Sequence, residues 1–207
     1  MWRPGSPVLA AASTVVGGGL GPRHWALNAT VDKDYDHPSP VGHLGQLAAA
    51  QGLGGDGIGF LTAVDVRRAC WAAADGAEAL ATVGLGWPTW AAVPPGLDVP
   101  SAAGSSGAGT INLLVWVPAR LSDGALVNAV ATATEAKVQA LAELRIPGTG
   151  TASDAIAVCC PLDGAGEPYG GPRSTWGARL ARAVHAAVTT GARAEAVTEH
   201  RAWRDLA

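Results

Sequence analysis

The stretch from Gly109 to Val158 constrains the fold more than any other part of this chain. It opens on Gly-Thr-Ile-Asn and continues through the apolar run Leu113-Leu114-Val115-Trp116-Val117. A helix-forming segment comes next, from about Asp123 to Leu144, with Ser122 placed as its N-cap. The loop Gly148-Thr149-Gly150-Thr151-Ala152-Ser153-Asp154 leads into a second apolar run, Ala155 to Cys160. Short apolar runs between polar turns read as strands buried on both faces, a pattern of α/β proteins. Each of these strands is entered through a small, hydroxyl-rich segment, at the end of a rigid element where functional groups tend to sit.

Elements upstream and downstream fit the same class. Val8 to Val16 reads as a buried strand ending in Gly17-Gly18-Gly19, which is either a turn or a loop that lets a ligand approach the backbone. His24 to Val31 is a second strand, with Asn28 inside it. Ser39 and Pro40 open a helix whose apolar face is Val41, Leu44, Leu47 and Ala48, and Gly52 stops it. Gly57 to Val64 reads as a strand, Asp65 as the cap of a helix reaching Ala74, and Ala79 to Trp90 as a strand broken near Gly86 and Pro88. Val93 to Ala108 is rich in Pro, Gly, Ser and Ala, as a linker or an excursion over a site would be. Ser174 caps a last helix, from about Thr175 to Thr190. The expected architecture is α/β: a single domain over residues 1–192, a sheet-rich layered sandwich with strands buried on both faces, then a charged tail over 193–207.

Composition narrows the function classes. The 207 residues suit one domain, and a formal net charge of −3 without a basic cluster gives no reason to expect nucleic acid. No apolar run approaches the ~20 residues a membrane helix needs. Arg3 followed by Val8–Val16 resembles a weak signal peptide, but Pro4, Pro7 and the β-branched residues suit a first strand better. Three cysteines, none at zinc spacing with a His, point to a reducing compartment, so the cytoplasm is expected. Asp34, Asp36 and His37 read as a solvated loop rather than a metal site. No metal and no cofactor is implied.

Alternation places Thr110 and Asn112 on one side of their strand, at its start. Burying Asn112 unpaired would cost ~1–3 kcal/mol, so it bonds either neighbouring backbone or a substrate carbonyl. Asn28, inside a strand where Asn is disfavoured, must likewise be paired, exposed or functional. On the helix, Asn128, Thr132, Glu135, Gln139 and Glu143 form one stripe, most simply a solvated face. Lys137 lies opposite, among Leu126, Val130, Ala133, Ala140, Leu141 and Leu144. It either snorkels to water or meets a carboxylate, and Asp154 is the obvious partner. The 148–154 loop is either a nest of backbone N–H groups or a tight turn in which Asp154 bonds its own backbone. Cys159 and Cys160 read as inert packing residues. The candidate catalytic residues are Thr110, Lys137, Asp154 and Glu135. The candidate substrate-binding residues are Asn28, Asn112, Thr151, Ser153 and Gly18.

An ordered set of short motifs carries a family resemblance: Ser-Thr-Val-Val-Gly-Gly-Gly (13–19), Ala-Leu-Asn-Ala-Thr-Val (26–31), Phe-Leu-Thr-Ala-Val (60–64), Gly-Thr-Ile-Asn (109–112), Ala-Thr-Glu-Ala-Lys (133–137), Gly-Thr-Gly-Thr-Ala-Ser-Asp-Ala (148–155) and Tyr-Gly-Gly-Pro (169–172). Together they resemble the adenosylcobinamide amidohydrolase family, from about Val8 to Ala187. That resemblance implies a corrinoid substrate. It implies hydrolysis of the aminopropanol amide of adenosylcobinamide to adenosylcobyric acid, in corrinoid salvage for cobalamin biosynthesis. A non-catalytic corrinoid-binding module is the alternative from another class.

More distantly, Ser-Ser-Gly-Ala-Gly-Thr-Ile (105–111), with the strand, Leu121 and the helix after it, resembles the second half of the self-processing aminopeptidases of the DmpA and ornithine acetyltransferase type. That resemblance implies a four-layer αββα sandwich, a small substrate, Thr110 as a nucleophile freed by cleavage after Gly109, and Asn28 as an oxyanion donor.

Overall fold

A computed structural model describes residues 1–93 and 109–198. Nearly all of the expected linker over Val93–Ala108, and the end of the expected tail, lie outside the described residues. The strands are β1 (Val8–Ala12), β2 (Gly19–Arg23), β3 (Trp25–Thr30), β4 (Gly57–Thr62), β5 (Cys70–Ala74), β6 (Ala77–Val83), β7 (Ile111–Trp116) and β8 (Ala155–Pro161). The helices are α1 (Pro40–Ala50), α2 (Asp123–Glu143) and α3 (Thr175–Thr198). Among the described residues no helix is long and apolar enough to cross a membrane.

The fold is a single mixed α/β domain with two sheets. Six strands pair in the order β2-β1-β8-β7-β6-β5, and β3 pairs with β4 in the second sheet. Within the large sheet β7 and β8 are parallel and every other neighbour is antiparallel. Parallel neighbours need a crossover, which α2 supplies, and α1 does the same for the parallel pair β3 and β4. The expected strand–helix–strand unit is therefore present, with Ser122 capping α2 through Ala125 N at 3.2 Å. Ser39 caps α1 as expected, accepting from Gly42 N at 3.1 Å.

Three apolar clusters fill the interior. In the largest, Leu113, Val115, Val158 and Cys160 of the large sheet meet Leu126, Leu141, Leu180 and Val184 of α2 and α3. On the opposite face Val8, Ala10, Ala157 and Cys159 meet Ala26, Ile58 and Phe60 of the small sheet. Beyond the small sheet, Trp25 and Leu27 pack on Leu44 and Ala48 of α1. β8 thus buries alternate residues in opposite directions, which is why its sequence is apolar without a break.

The structure corrects several expectations. First, the strand expected over Val8–Val16 ends at Ala12. Ser13 exchanges backbone and hydroxyl bonds with Ile156 at 2.9 and 3.0 Å, and the chain then leaves the large sheet so that Val16 can bridge to Gly59. Second, β2 is an additional strand that its sequence does not announce, because Gly-Leu-Gly-Pro-Arg lacks alternation and its proline is tolerated only at an edge. Third, the helix expected from Asp65 to Ala74 is one 3₁₀ turn, Val66–Arg68, followed by β5. The deciding signal is Asp75-Gly76, both at positive φ, which closes a two-residue hairpin between Ala74 and Ala77.

Fourth, Thr132 does not belong to a solvated stripe: it is buried and donates to the Gly170 carbonyl at 2.9 Å. The last helix also runs beyond Thr190 to Thr198, into the charged segment expected as a surface helix or frayed, where buried Glu195 meets Arg68 at 3.2 Å.

Candidate active site

The parallel register of β7 and β8 sets Asn112 beside Ala155, so the residues that enter the two strands lie side by side. Thr110 Oγ1 and Ser153 Oγ are 2.7 Å apart, and Ser153 Oγ is 3.4 Å from the Gly109 carbonyl to which it donates. Asp154 accepts three bonds: from Ile111 N at 2.9 Å, from Thr151 Oγ1 at 2.5 Å, and from Lys137 Nζ. The lysine on the apolar face of α2 therefore meets the carboxylate that its position calls for. Their side chains are 7% and 11% exposed, so the pair is nearly dry. Gly150 makes room for it, since a Cβ there would collide with both Asp154 Oδ2 and Lys137 Nζ.

The small sheet closes over this end of β7. Asn112 is buried and gives its amide hydrogens to the Leu61 carbonyl at 2.9 Å and to Asn28 Oδ1 at 3.3 Å. Asn28 in turn donates to Thr82 Oγ1 at 3.0 Å. This chain of polar side chains ties the two sheets together, and the disfavoured strand asparagine is one of its links.

A cleft of about 450 Å³ opens beside it, lined by Thr110, Asn112, Ser153 and Asp154 on one side and by Phe60, Leu61 and Thr62 of β4 on another. Ser13, Thr14 and Val15, with Asp32, Lys33, Tyr35 and Pro40, complete the wall.

Asn28, Thr151 and Lys137 bond to this cluster without lining the cleft, and two candidates, Glu135 and Gly18, lie apart from both. Glu135 is exposed on the side of α2 away from Lys137 and is not among the residues lining the cleft. Gly18 is exposed and does not line the cleft, and its carbonyl accepts from Arg23 Nη2 at 3.2 Å. The cysteines are poor nucleophiles. Burial, with Cys160 adjacent, pushes the Cys159 thiol up to about 12, and burial also raises Cys160 and Cys70. Among the described residues no group of three or more His, Cys, Asp and Glu is placed to hold a metal ion. His37 accepts from Ser39 N and stacks against Tyr35 and His43.

The arrangement sets two hydroxyls beside an ion pair whose carboxylate is fixed by two further donors, Ile111 N and Thr151 Oγ1, at the mouth of strands that hold them. Such a set suits nucleophilic or water-mediated attack on a carbonyl. The family model of adenosylcobinamide amidohydrolases matches residues 1–199. The chain belongs to this family. An adenosylcobinamide amidohydrolase of Methanosarcina mazei is 30% identical over 190 residues, 87% of this chain and 88% of that protein. One of Halobacterium salinarum is 33% identical over 166 residues, 79% of this chain and 71% of that protein. No solved structure is significantly similar to the chain.

Within this family member the sequence alone does not single out Ser13, Thr14, Tyr35 or Thr62 as cleft residues. The hydroxyls just before the three glycines are the available signal for Ser13 and Thr14. Nothing in the spacing of Tyr35 announces that it turns toward the cleft.

Proposed function

We propose that this protein hydrolyses the amide bond joining aminopropanol to adenosylcobinamide, releasing adenosylcobyric acid, and that it serves corrinoid salvage in the cytoplasm. The observation that carries this reading is the Thr110–Ser153 hydroxyl pair lining one cleft together with Asp154, whose carboxylate is paired with buried Lys137. In this reading Thr110 Oγ1 adds to the amide carbonyl carbon, and its proton passes through Ser153 to the departing aminopropanol nitrogen. Water then cleaves the Thr110 ester and releases the acid. Asp154 and Lys137 position the turn that carries Ser153 against the start of β7. Asn112 and Asn28 fix the roof of the cleft.

Incubation with adenosylcobinamide, followed by chromatography for adenosylcobyric acid and aminopropanol, tests the reading. Absence of product in the presence of tight binding would favour a corrinoid-binding module instead.

One observation favours a variant of this mechanism. Ser153 Oγ touches both Thr110 Oγ1 and the Gly109 carbonyl, the geometry wanted for cleavage of the Gly109–Thr110 bond to free Thr110 as a terminal nucleophile. The layered order of α2 and α3, large sheet, small sheet and α1 supports the same comparison with self-processing aminopeptidases. Intact-mass measurement separates the two: a single species of 20.7 kDa that turns over substrate excludes self-cleavage.

A further inference from the structure

A corrinoid is a broad cobalt macrocycle fringed with amide-bearing side chains, much larger than the drug-sized ligands that fill pockets of ~300–1,000 Å³. The cleft holds about 450 Å³. It can take one side chain of such a molecule, but not the ring. If the cleft is where the aminopropanol amide is cut, the ring must rest on a surface continuous with it.

The cleft's own rim offers that surface. Val15, between β1 and β2, lines the cleft and is 69% exposed. Pro40, at the start of α1, lines it too, and the next residue, Val41, is 54% exposed. Large aliphatic side chains left in water beside a polar site mark a binding surface when they cluster.

Tyr35 is the fourth rim residue and is held ready. Its hydroxyl is 2.9 Å from His43 Nδ1, and its ring lies nearly parallel to those of His43 and His37, with centroids 5.6 and 6.1 Å away. A pre-ordered aromatic group loses little freedom when a flat ligand settles on it. Asp32 and Lys33 line the same mouth and suit the amide fringe of a corrinoid.

We infer that the cleft admits only the amide-bearing side chain of the substrate, while the corrin macrocycle docks outside it on the rim of Val15, Tyr35, Pro40 and Val41. This inference rests on the proposed corrinoid reading but is separable from it. A second apolar surface, a groove of about 420 Å³ lined by Trp2, Trp71, Leu80, Leu114 and Trp116 on the far part of the large sheet, provides the control.

Equilibrium dialysis against cobinamide, read by its visible absorbance, measures ring binding without catalysis. Val15→Asp, Val41→Asp and Tyr35→Ala each weaken binding ~10-fold or more, the scale of losing one buried apolar side chain. In steady-state hydrolysis the same variants raise KM in proportion and change kcat much less. The double variant Val15→Ser/Val41→Ser removes apolar surface without adding charge and weakens binding in the same direction. Trp71→Ala binds as the unaltered protein does.

Rim variants that bind normally overturn the inference, as does loss of binding in Trp71→Ala alone. Absence of any cobinamide binding overturns both the rim and the corrinoid reading. Rim-dependent binding without hydrolysis leaves the rim standing and removes the amidohydrolase.

Discussion

Lys137 reaches from the apolar side of α2 to Asp154 at the start of β8, and both side chains are almost wholly shielded from water. Neither could be buried alone, because an unpaired charge in such a place costs several kcal/mol. Asp154 also holds Ile111 N and Thr151 Oγ1, so one carboxylate joins α2, β7 and the turn before β8. Lys137→Met should therefore destabilise the protein by about 3–5 kcal/mol, the scale of removing one partner from a buried pair. Lys137→Met/Asp154→Asn, which removes both charges, should recover part of that loss. Urea unfolding of the two variants checks this, and a double variant less stable than the single one would count against it.

Local forces leave their mark on a sequence, and long-range ones do not. The β7–α2–β8 unit is readable because its apolar runs, helix period and Ser122 cap all agree. The Lys137–Asp154 contact is readable because a lysine on an apolar face demands a partner. β5 reads as helix because an alanine-rich run satisfies either structure, and only the Asp75-Gly76 turn decides between them. The sequence leaves the roles of Asn28 and Asn112 open because their partners, Thr82 and the Leu61 carbonyl, come from strands distant in the chain. Tyr35 is invisible as a cleft residue for the same reason, and Thr132 looks solvated because its acceptor, Gly170, lies in a loop well beyond the helix.

Gly150 should tolerate no side chain. A Cβ would collide with both charged groups of the pair, and moving either aside would break the nearly buried ion pair or its bonds. Gly150→Ala should cost about 1–3 kcal/mol, typical of overpacking a filled interior. It should lower activity as well, because the shifted turn carries Ser153. The expected result is a lower melting temperature together with a reduced kcat. A variant as stable and active as the unaltered protein would mean that the turn is looser than its contacts imply.

The hydroxyl pair should separate nucleophile from relay. Thr110→Ala should lower kcat by ~10³-fold or more, as loss of a group acting in the transition state does. Thr110→Ser, which keeps the hydroxyl, should retain most of the rate. Ser153→Ala should lose ~10²-fold or more, the usual share of a proton relay. Both alanine variants should fold normally, since neither residue is fully buried. Steady-state hydrolysis of adenosylcobinamide reads all three, and full activity in Thr110→Ala would remove it as the nucleophile.

Asn112 should be worth more to the joint between the sheets than its volume suggests. Asn112→Leu leaves the Leu61 carbonyl and Asn28 Oδ1 without their donor inside the protein, at a cost of about 1–3 kcal/mol for each group that water does not reach. The loss should appear in chemical denaturation as a lower midpoint with an unchanged slope. An equal loss in Asn28→Ala, and no further loss in the double variant, would show that the two act as one link.

The buried cysteines give a prediction that depends on pH. Cys159 is held neutral until about 12 by burial, with Cys160 beside it, whereas an unfolded thiol ionises near ~8.5. A folded pKa above the unfolded one favours the native state fully below pH ~8.5, and that advantage is lost as pH rises toward the folded value. Unfolding free energy should therefore be flat in this respect from pH ~6 to ~8 and fall by pH ~10. In parallel, iodoacetamide at pH ~8 should spare Cys159 and Cys160 in the native protein and modify both in urea, because only the thiolate reacts. Mass spectrometry of peptides covering β8 reads the labelling directly. Rapid native modification of Cys159 with loss of activity would instead place a reactive thiol where the packing shows an inert one.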